Sequence, residues 1–534
     1  MLLRSTGAAG TWRSTYRASP AAAVHTRWLS SPPPGAHHKG GRGGYIQCVG
    51  RPGLARCSTC KWRIQAEPDA KELQPEAQGA PLSASAAAIL AAAQAPSTSA
   101  GPSLRDPALA KQDVRDPLTA FDWAGEDRAL LAGSEPGRAP LRVAVLLSGG
   151  VDSSAALTLA RAAGHHVEAF YLKIWFQEDF RNFWDACPWE EDLEYCSAVC
   201  DAAGVPLHVV PLSNEYWDRV VEHSIQEVAS GRTPNPDVLC NSRVKFGAFF
   251  EYLEQHHGQD FDRVASGHYA ALQRPEGSAA GPVRLAMTPD DVKDQTYFLA
   301  GLTQAQLARC MFPLGPLTKT QVREIAARGG LPNQDRKDSQ GICFLGKVRF
   351  SEFVKEHLGE WPGPLVDDDT GDVVGYHEGF WFYTIGQRKG IRLPGGPWYV
   401  TRKDPDRNAV WVSRHYYEGG GGSRDSTLVG SLKWNTPGRP DFTKRTEVKV
   451  RHGPAKYECE VEELDGGRTL ALRLPKDDQG LAAGQYAVFY QGGVCLGGGI
   501  MMGHAPDEDE ADSDEDSDEG VMGSGDVEAQ ALPA

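Results

Sequence analysis

The chain has 534 residues, 11 cysteines and a formal net charge of −15 at pH 7. Its length allows two to four domains with sizeable cores, and no stretch of the sequence is apolar enough to span a membrane. The cysteines follow no repeating framework, which favours reduced thiols over structural disulfides.

The two ends of the chain differ strongly in charge. Residues 1–66 contain ten Lys or Arg and no Asp or Glu, and they are rich in Ser, Ala and Gly. This composition predicts an organelle transit peptide, with the mitochondrion favoured over the chloroplast, although a disordered basic arm would have a similar composition. Residues 67–138 are Ala-, Pro- and Ser-rich and predict a disordered linker. Residues 505–534 contain twelve acidic residues and no basic ones, which predicts a solvated, disordered tail.

A glycine-rich turn opens the folded part of the chain, in residues 141–159, "LRVAVLLSGGVDSSAALTL". An apolar, β-branched run ends at Leu147, and a helical pattern starts near Ser153. Such a turn aims backbone N–H groups at one point, which suits phosphate. Asp152 can orient the loop or hold a metal. No Lys follows the glycines, so the Walker pattern is absent.

The segment "SGGVDSS" resembles the loop of the N-type ATP pyrophosphatases, the PP-loop family. The resemblance implies cleavage of ATP between the α- and β-phosphates, which leaves an adenylated substrate. Strand patterns at 166–175, 206–212 and 261–270 alternate with helical ones and predict an α/β fold with a doubly wound parallel sheet over 139–346. In such sheets the ligand lies beyond the carboxyl ends of the strands, which makes Leu172 and Gly267–His268 candidates for nucleotide contact.

A Pro-Asn-Pro elbow precedes a cysteine in "GRTPNPDVLCN", residues 231–241. Asn235 is a good helix N-cap and Pro236 suits the first helical position. Asp237 and Cys240 would then lie one turn apart on one face, where the helix dipole favours a carboxylate and a thiolate. The alternative is that Asp237 supports the helix start and that Cys240 is a small core residue.

A second cysteine, Cys343, lies in "NQDRKDSQGICFLG", where Arg336 and Lys337 can lower its pKa. One thiolate can carry sulfur as a persulfide, and a second can attack that persulfide. Residues 187, 196 and 200 also allow an iron–sulfur site. The sequence does not show which thiols meet.

The rest of the chain predicts two smaller domains. Residues 347–417 combine a helical pattern with short strands and predict a central α+β domain, with a basic turn at Gln387, Arg388 and Lys389. Residues 418–504 alternate polar and apolar positions between Gly-rich turns, which predicts a C-terminal antiparallel β-barrel.

Seven segments extend the resemblance over essentially all of 139–504: "SGGVDSS", "GRTPNPDVLCN", "ASGHYA", "KDQTYFL", "KDSQGICFLG", "TIGQRKG" and "GQYAVFYQGGVCLGGGI". In this order they are similar to the tRNA-specific 2-thiouridylase family. The resemblance implies ATP-dependent thiolation at C2 of the wobble uridine in tRNA, with ATP and Mg2+ as cofactors and no dedicated set of protein metal ligands.

The resemblance also implies roles for individual residues. Cys240 would be the nucleophile, Cys343 the persulfide carrier and Asp237 the general base. The residues implied in ATP binding are Leu146, Leu147, Ser148, Gly149, Gly150, Val151, Asp152, Ser153, Leu172 and Gly267. Those implied in contacts with the target base or the tRNA are Asn235, Pro236, Asp237, Lys293, Asp294, Gln295, Arg451 and His452.

The implied partners are a tRNA with a wobble uridine, a sulfur donor (a cysteine desulfurase or a relay protein) and a reductant for a Cys240–Cys343 disulfide, with no membrane. Sulfur can pass as free sulfide, or the persulfide can attack the base first. Three other functions stay open: another PP-loop ligase, an iron–sulfur-dependent thiolase with Asp237, Cys240 and Cys343 as ligands, and a non-catalytic tRNA-binding protein.

Overall fold

The computed structural model describes residues 117–123, 125–174, 188–275, 281–338, 350–417, 425–476, 478 and 481–503. The predicted transit peptide, the acidic tail, Cys187 and Cys343 lie outside these ranges. Within them, no helix is long and apolar enough to cross a membrane.

A five-stranded parallel sheet forms the centre of the first folded region. Its strands are β1 (Arg142–Leu146), β2 (His166–Lys173), β3 (Leu207–Pro211), β4 (Arg263–Ser266) and β7 (Cys310–Met311). Their order is β3-β2-β1-β4-β7, and each neighbouring pair is parallel. Val143, Ala144 and Val145 are fully buried, as expected for a strand covered on both faces. The predicted doubly wound α/β fold is confirmed.

Helices cover the sheet and alternate with its strands. They are α1 (Val151–Ala162), α2 (Pro188–Ala203), α3 (Ser213–Tyr216), α4 (Glu222–Ala229), α5 (Pro236–Leu239), α6 (Phe249–His257), α7 (Gln304–Arg309) and α8 (Lys319–Arg328). Two π-helical segments, Trp217–Val221 and Cys240–Ala248, join α3 to α4 and α5 to α6. The Arg219 guanidinium donates to the Arg243 carbonyl at 3.3 Å, and the Arg243 guanidinium donates to the Arg219 carbonyl at 2.9 Å. These bonds tie the two π-helical segments together.

The end of the predicted disordered linker is folded instead. Residues Pro117–Thr119 and Glu126–Ser134 form 3-10 helices. Phe121 and Leu131 are buried in a cluster that includes Ala155 and Leu159 of α1. The prediction of disorder was therefore wrong for this part of 67–138, because Phe121 and Leu131, with the partly buried Trp123 and Leu130, dock it on α1.

The central domain contains a helix and a small sheet. Helix α9 (Phe350–Leu358) precedes β8 (Gly363–Asp367), β9 (Val373–His377), β10 (Tyr399–Asp404) and β11 (Ala409–Ser413). The strand order is β10-β11-β8-β9. A core that includes Leu365, Phe380 and Val410 packs beneath it.

The C-terminal domain is a curled antiparallel sheet. Its strands are β12 (Ser426–Trp434), β13 (Glu447–Lys449), β14 (Tyr457–Glu458), β15 (Glu460–Leu464), β16 (Thr469–Arg473), β17 (Tyr486–Gln491) and β18 (Val494–Gly503). The order is β14-β13-β17-β18-β12-β16-β15. Its two edge strands, β14 and β15, are separated along the chain by Cys459 alone, so the sheet curls until its edges approach each other.

The first and last regions share strands and core. A hairpin of β5 (Ala271–Gln273) and β6 (Arg284–Ala286) leaves the α/β region and pairs with β18 through Ala286–Val494 and Leu285–Cys495. Val488 and Tyr490 of β17 belong to the same buried cluster as Phe170 and Phe249. The C-terminal sheet therefore packs as an extension of the α/β core.

Candidate active site

The three predicted nucleotide-binding segments lie along one edge of the parallel sheet. The loop after β1, Leu172 at the end of β2 and Gly267 after β4 follow neighbouring strands. The strand order reverses at β1, with β2 on one side and β4 on the other, and ligands of such sheets bind at that point. The fold therefore brings these segments together.

Hydrogen bonds from side chains hold the phosphate loop in shape. The Ser153 hydroxyl accepts from the Ser148 N–H at 3.2 Å and donates to the Gly150 carbonyl at 3.0 Å. The amide of Asn333 donates to the Gly149 carbonyl at 2.7 Å and to the Ser154 hydroxyl at 2.9 Å. Asn333 is buried, and it lies nearly two hundred residues after the loop that it supports. Sequence analysis missed it because nothing near Asn333 marks it as a loop partner.

Two glycines of the site are required by close backbone approach. Gly149 has φ +73°, and a Cβ there would meet the Asp192 carbonyl oxygen at 2.6 Å. A Cβ at Gly267 would meet the Ser153 nitrogen at 2.6 Å. Gly267 thus lies directly against the start of α1, where a side chain would push the loop away.

Asp152 is bound by a lysine that sequence analysis did not single out. The Lys319 ammonium lies 2.7 and 2.9 Å from the two Asp152 oxygens, and the Tyr269 hydroxyl donates to the same carboxylate at 2.9 Å. Lys319 is the first residue of α8. It brings positive charge to a loop whose own sequence has no lysine.

The same lysine connects the loop to a second carboxylate, Asp338. Lys319, Lys293 and Arg323 lie 2.8, 2.7 and 2.5 Å from its oxygens. Burial by itself raises the pKa of Asp338, but the hydrogen bonds and charges of the two lysines outweigh it and hold that pKa well below its usual value. Asp338 is therefore ionised and links the loop to Lys293.

The side chains of the predicted nucleotide contacts differ in exposure. Leu146, Leu147 and Val151 are buried, so only their backbone atoms can face a ligand. Ser148 is exposed, and Leu172 is half-buried against the core. His268 bonds Ser266 at 2.8 Å and packs against Phe246, and burial lowers its pKa well below the usual value. His268 is thus a half-buried, hydrogen-bonded histidine.

The helix predicted at the Pro-Asn-Pro elbow is present. Asn235 caps α5 by accepting from the Val238 N–H at 3.3 Å, with Pro236 in the first helical turn. Asp237 is half-buried, and Cys240 follows one turn later, where the chain widens into the π-helical segment. Such π turns are frequent at functional sites. Cys240 is 1% exposed, so it is a core residue in this conformation.

Contacts around β4 join the elbow to the phosphate loop. Phe246, in the π-helical segment that starts at Cys240, packs 6.0 Å from the His268 ring. The neighbouring Gly267 lies against Ser153. Cys240 and Leu146 also belong to one buried cluster. The predicted nucleophile and the predicted nucleotide loop are therefore parts of one packed unit.

Three residues predicted to contact tRNA in "KDQ" have different environments. Lys293 is 38% exposed and pairs with Asp338. Asp294 is buried, forming an ion pair with the buried Lys449 at 3.4 Å and accepting from the Thr296 hydroxyl at 2.5 Å. Gln295 exchanges hydrogen bonds with the Tyr269 backbone at 3.0 and 2.8 Å. The Asp294 carboxylate thus joins the C-terminal sheet to the α/β region. A contact between Asp294 and tRNA stays a prediction.

The predicted tRNA contacts in the C-terminal region lie beside this ion pair. Arg451 is half exposed and bonds Asp478 at 2.9 Å. The His452 ring stacks on Phe298 with centroids 4.5 Å apart, and its Nε2 atom bonds the Asp294 carbonyl at 3.2 Å. Burial lowers the pKa of His452, which favours its neutral form. In the central domain, Arg388 and Lys389 are exposed on their turn.

The remaining described cysteines are buried or half-buried thiols. Cys196 donates to the Leu147 carbonyl at 3.7 Å. Burial raises the pKa of Cys459 and Cys495 to about 12 and that of Cys196 and Cys200 still further. Among the described residues no group of His, Cys, Asp and Glu could hold a metal ion. Cys187 and Cys343, on which the iron–sulfur alternatives depend, are outside the described ranges.

The chain matches three family models in succession. They are the tRNA methyl transferase HUP domain at 141–347, the tRNA methyl transferase PRC-barrel domain at 351–414 and the aminomethyltransferase beta-barrel domain at 424–501. These descriptions mention methyl transfer, whereas the relatives matched along nearly their full length are named for thiolation.

Two such relatives are tRNA-specific 2-thiouridylases. MnmA 1 of Bacteroides thetaiotaomicron is 43% identical over 67% of this chain and 99% of its own length. MnmA of Parabacteroides distasonis is 40% identical over 68% of this chain and 99% of its own length. Among solved structures, the NH3-dependent NAD synthetase of Campylobacter jejuni is 15% identical with a TM-score of 0.24, covering 40% of this chain and 76% of that chain.

Proposed function

Because the chain belongs to the tRNA-specific 2-thiouridylase family, we propose that it replaces the C2 oxygen of a tRNA wobble uridine with sulfur, using ATP to activate the oxygen. Membership makes the chain a tRNA sulfurtransferase. The wobble position, the adenylation step and the cysteine relay go beyond membership, and experiment must test them.

The observation that supports the proposal most is that the phosphate loop and the elbow helix belong to one packed unit. The phosphate loop and the helix with Asp237 and Cys240 meet through Phe246, His268, Gly267 and Ser153. An activated base bound beside the loop would therefore be close to the elbow. Binding another PP-loop substrate would require no thiol at this point.

The loop fits the triphosphate of ATP. Gly149, Gly150 and Val151 lie where the loop enters α1, and backbone N–H groups at such a helix start bind phosphate. Mg2+ would supply charge neutralisation for the phosphates, and Asp152 is the carboxylate of the loop that would hold it. Both Asp152 oxygens are engaged by Lys319, so a cation there would take the place of the lysine.

Adenylation makes the C2 oxygen a good leaving group, with pyrophosphate released. A bare carbonyl oxygen would leave too reluctantly. In the proposed relay, Cys343 arrives as a persulfide and Cys240 attacks its inner sulfur, with Asp237 as the general base. The outer sulfur attacks C2 and expels AMP, and a Cys240–Cys343 disulfide remains. The order in which the persulfide attacks the base first gives the same products.

The relay requires Cys240 to become accessible, since it is buried in the described conformation. A thiol in an apolar core is protected from oxidation and alkylation while the enzyme waits for tRNA. We infer that binding of tRNA opens this part of the core. A local opening of a few residues is within the range of motions that folded proteins make.

Two further partners follow from the chemistry. A sulfur donor, a cysteine desulfurase or a relay protein, must charge the persulfide, and a reductant must reopen the disulfide after each turnover. We also propose that residues 1–66 direct the protein to the mitochondrion, because the segment is basic and without acids. A fluorescent fusion of residues 1–66 checks this, and a chloroplast or cytosolic signal would contradict it.

The experiment that tests the function uses the full chain with an unmodified tRNA transcript, ATP–Mg2+, and a cysteine desulfurase with cysteine. Mass spectrometry of nucleosides follows 2-thiouridine for the parent, Cys240→Ala and Cys343→Ala. Cys200→Ala is the matched control, since Cys200 is a buried thiol away from the elbow. We expect product from the parent and the control alone, with pyrophosphate release retained in Cys240→Ala. Product from both relay variants would contradict the two-cysteine mechanism.

A further inference from the structure

The side chain of Gln485, which lies just before β17, connects the C-terminal sheet to the Pro-Asn-Pro elbow. Its Nε2 atom donates to the carbonyls of Thr233 and Pro234 at 3.1 and 3.2 Å. Its Oε1 atom accepts from the Asn235 amide at 3.2 Å. Both ends of the Gln485 amide are thus used on three successive residues that lie about 250 positions earlier.

The backbone around Gln485 strengthens this contact. The Thr233 N–H donates to the Ala483 carbonyl at 2.7 Å. Gly484 has φ +95°, and a Cβ there would meet the Thr233 nitrogen at 2.8 Å and its oxygen at 2.9 Å. The two chain segments therefore approach as closely as backbones can, which fixes the distance between the sheet and the elbow.

Gln485 also determines which way the Asn235 amide points. The Asn235 oxygen caps the helix by accepting from the Val238 N–H, and its nitrogen faces the Gln485 oxygen. The Tyr297 hydroxyl, a further partner of Asn235, donates to the Tyr486 carbonyl at 3.1 Å. If the Gln485 oxygen is removed, the Asn235 amide loses one of its two side-chain partners, Gln485 and Tyr297.

We propose that Gln485 is a positioning residue for tRNA thiolation: its three hydrogen bonds set the elbow, and through the elbow the orientation of Asp237 and Cys240. This rests on the proposed function, since it assigns a role in that reaction. Gln485 does not touch the reacting atoms. A misplacement of about 1 Å in a reacting group costs about 100-fold in rate, which is the scale on which such a residue acts.

The chain offers a matched control at the other end of the same strand. Gln491 ends β17, and its Nε2 atom donates to the Asp441 carbonyl at 2.9 Å and the Thr446 hydroxyl at 3.0 Å. These partners lie within the C-terminal domain. Replacing Gln491 therefore removes a comparable set of bonds without changing the elbow.

The test compares Gln485→Met, Gln485→Glu and Gln491→Met in the full chain, with tRNA, ATP–Mg2+ and the desulfurase donor. We expect both Gln485 variants to lower kcat for 2-thiouridine by about 10- to 100-fold, with KM for tRNA changed by less than about threefold. Glutamate keeps the volume and an acceptor for Asn235 but has no N–H for the two carbonyls, so it does not rescue. Gln491→Met should match the parent, and melting temperatures should be alike.

If Gln485→Met is poorly stable, Gln485→Glu carries the test, and a double-mutant cycle with Asn235→Ala gives a second measurement. If Gln485 and Asn235 position the same elbow, the loss of kcat in the double variant Asn235→Ala/Gln485→Met is smaller than the two single losses combined. Additive losses would overturn the proposal, as would parental kcat in Gln485→Met, rescue by Gln485→Glu, or an equal loss in Gln491→Met. A parent that makes no 2-thiouridine would instead overturn the proposed function.

Discussion

The phosphate loop and the Pro-Asn-Pro elbow are both short turns that lead into helices, yet different parts of the chain hold them. The loop is supported by Asn333, Tyr269 and Lys319, which all belong to the α/β region. The elbow is held by Ala483 and Gln485, at the start of the last hairpin of the C-terminal sheet.

In the proposed mechanism, this difference separates the activation by ATP from the transfer of sulfur. Changes in the C-terminal sheet should disturb the elbow and leave ATP binding intact, whereas changes around Lys319 should do the reverse. A C-terminal domain that only bound tRNA would need no hydrogen bonds to the elbow. The structure thus makes that domain part of the support for Asp237 and Cys240.

The largest expected effect comes from the buried ion pair that joins the two regions. Lys449→Met leaves the Asp294 carboxylate buried without its cation, since both side chains are 0% exposed. We expect a loss of about 4 kcal/mol in unfolding free energy, measured by urea denaturation. Adding Asp294→Asn should recover part of the loss. An unchanged midpoint in Lys449→Met would show that the pair does not hold the regions together.

A second prediction concerns the segment that packs on α1, the helix that follows the phosphate loop. A chain that begins at residue 139 lacks Phe121 and Leu131, which pack on Ala155 and Leu159. Compared with a chain that begins at residue 117, we expect it to lose about 3 kcal/mol of stability, because two buried apolar side chains are removed. Thermal melts of the two chains provide the measurement. Equal melting temperatures would mean that the docked segment contributes nothing.

A third prediction concerns the charge that Lys319 brings to the phosphate loop. Lys319→Met removes the cation between Asp152 and Asp338, and we expect about 100-fold slower pyrophosphate release with unchanged tRNA affinity. Lys355→Met is the control, because Lys355 also pairs with two carboxylates, Glu360 and Glu378, but on the surface. Weaker tRNA binding in Lys319→Met would contradict the view that the phosphate loop and the elbow are supported independently.

The smallest effect is a pH dependence at Asp338. Its folded-state pKa is depressed, so its contribution to stability is fully present above the unfolded pKa of about 3.9. The contribution is lost as the pH falls from there through the lower folded-state pKa. We expect the stability difference between the parent and Asp338→Asn to be constant above about pH 5 and to shrink below pH 4. A stability difference that grows as the pH falls would contradict a depressed pKa of Asp338 in the folded state.

Local patterns predicted the parts of the site whose chemistry is contiguous in the chain. "SGGVDSS" after a buried strand indicated the loop, and "PNPDVLC" indicated a capped helix with Asp237 and Cys240 one turn apart. The burial of Asp294 and the docking of Phe121 were not predicted. A residue type shows what a side chain can do, whereas burial depends on what packs over it.

The sequence by itself determined the parallel sheet, the phosphate loop, the elbow helix and the resemblance to 2-thiouridylases, because strand and helix periods, glycines and caps act over a few neighbouring residues. Only the tertiary structure decided which distant side chains hold these turns. Lys319 reaches Asp152 across 167 positions, and Gln485 reaches Thr233 across 252. Lysines and glutamines are common on any surface, so these partners are recognised only when the folded chain brings them within hydrogen-bond distance.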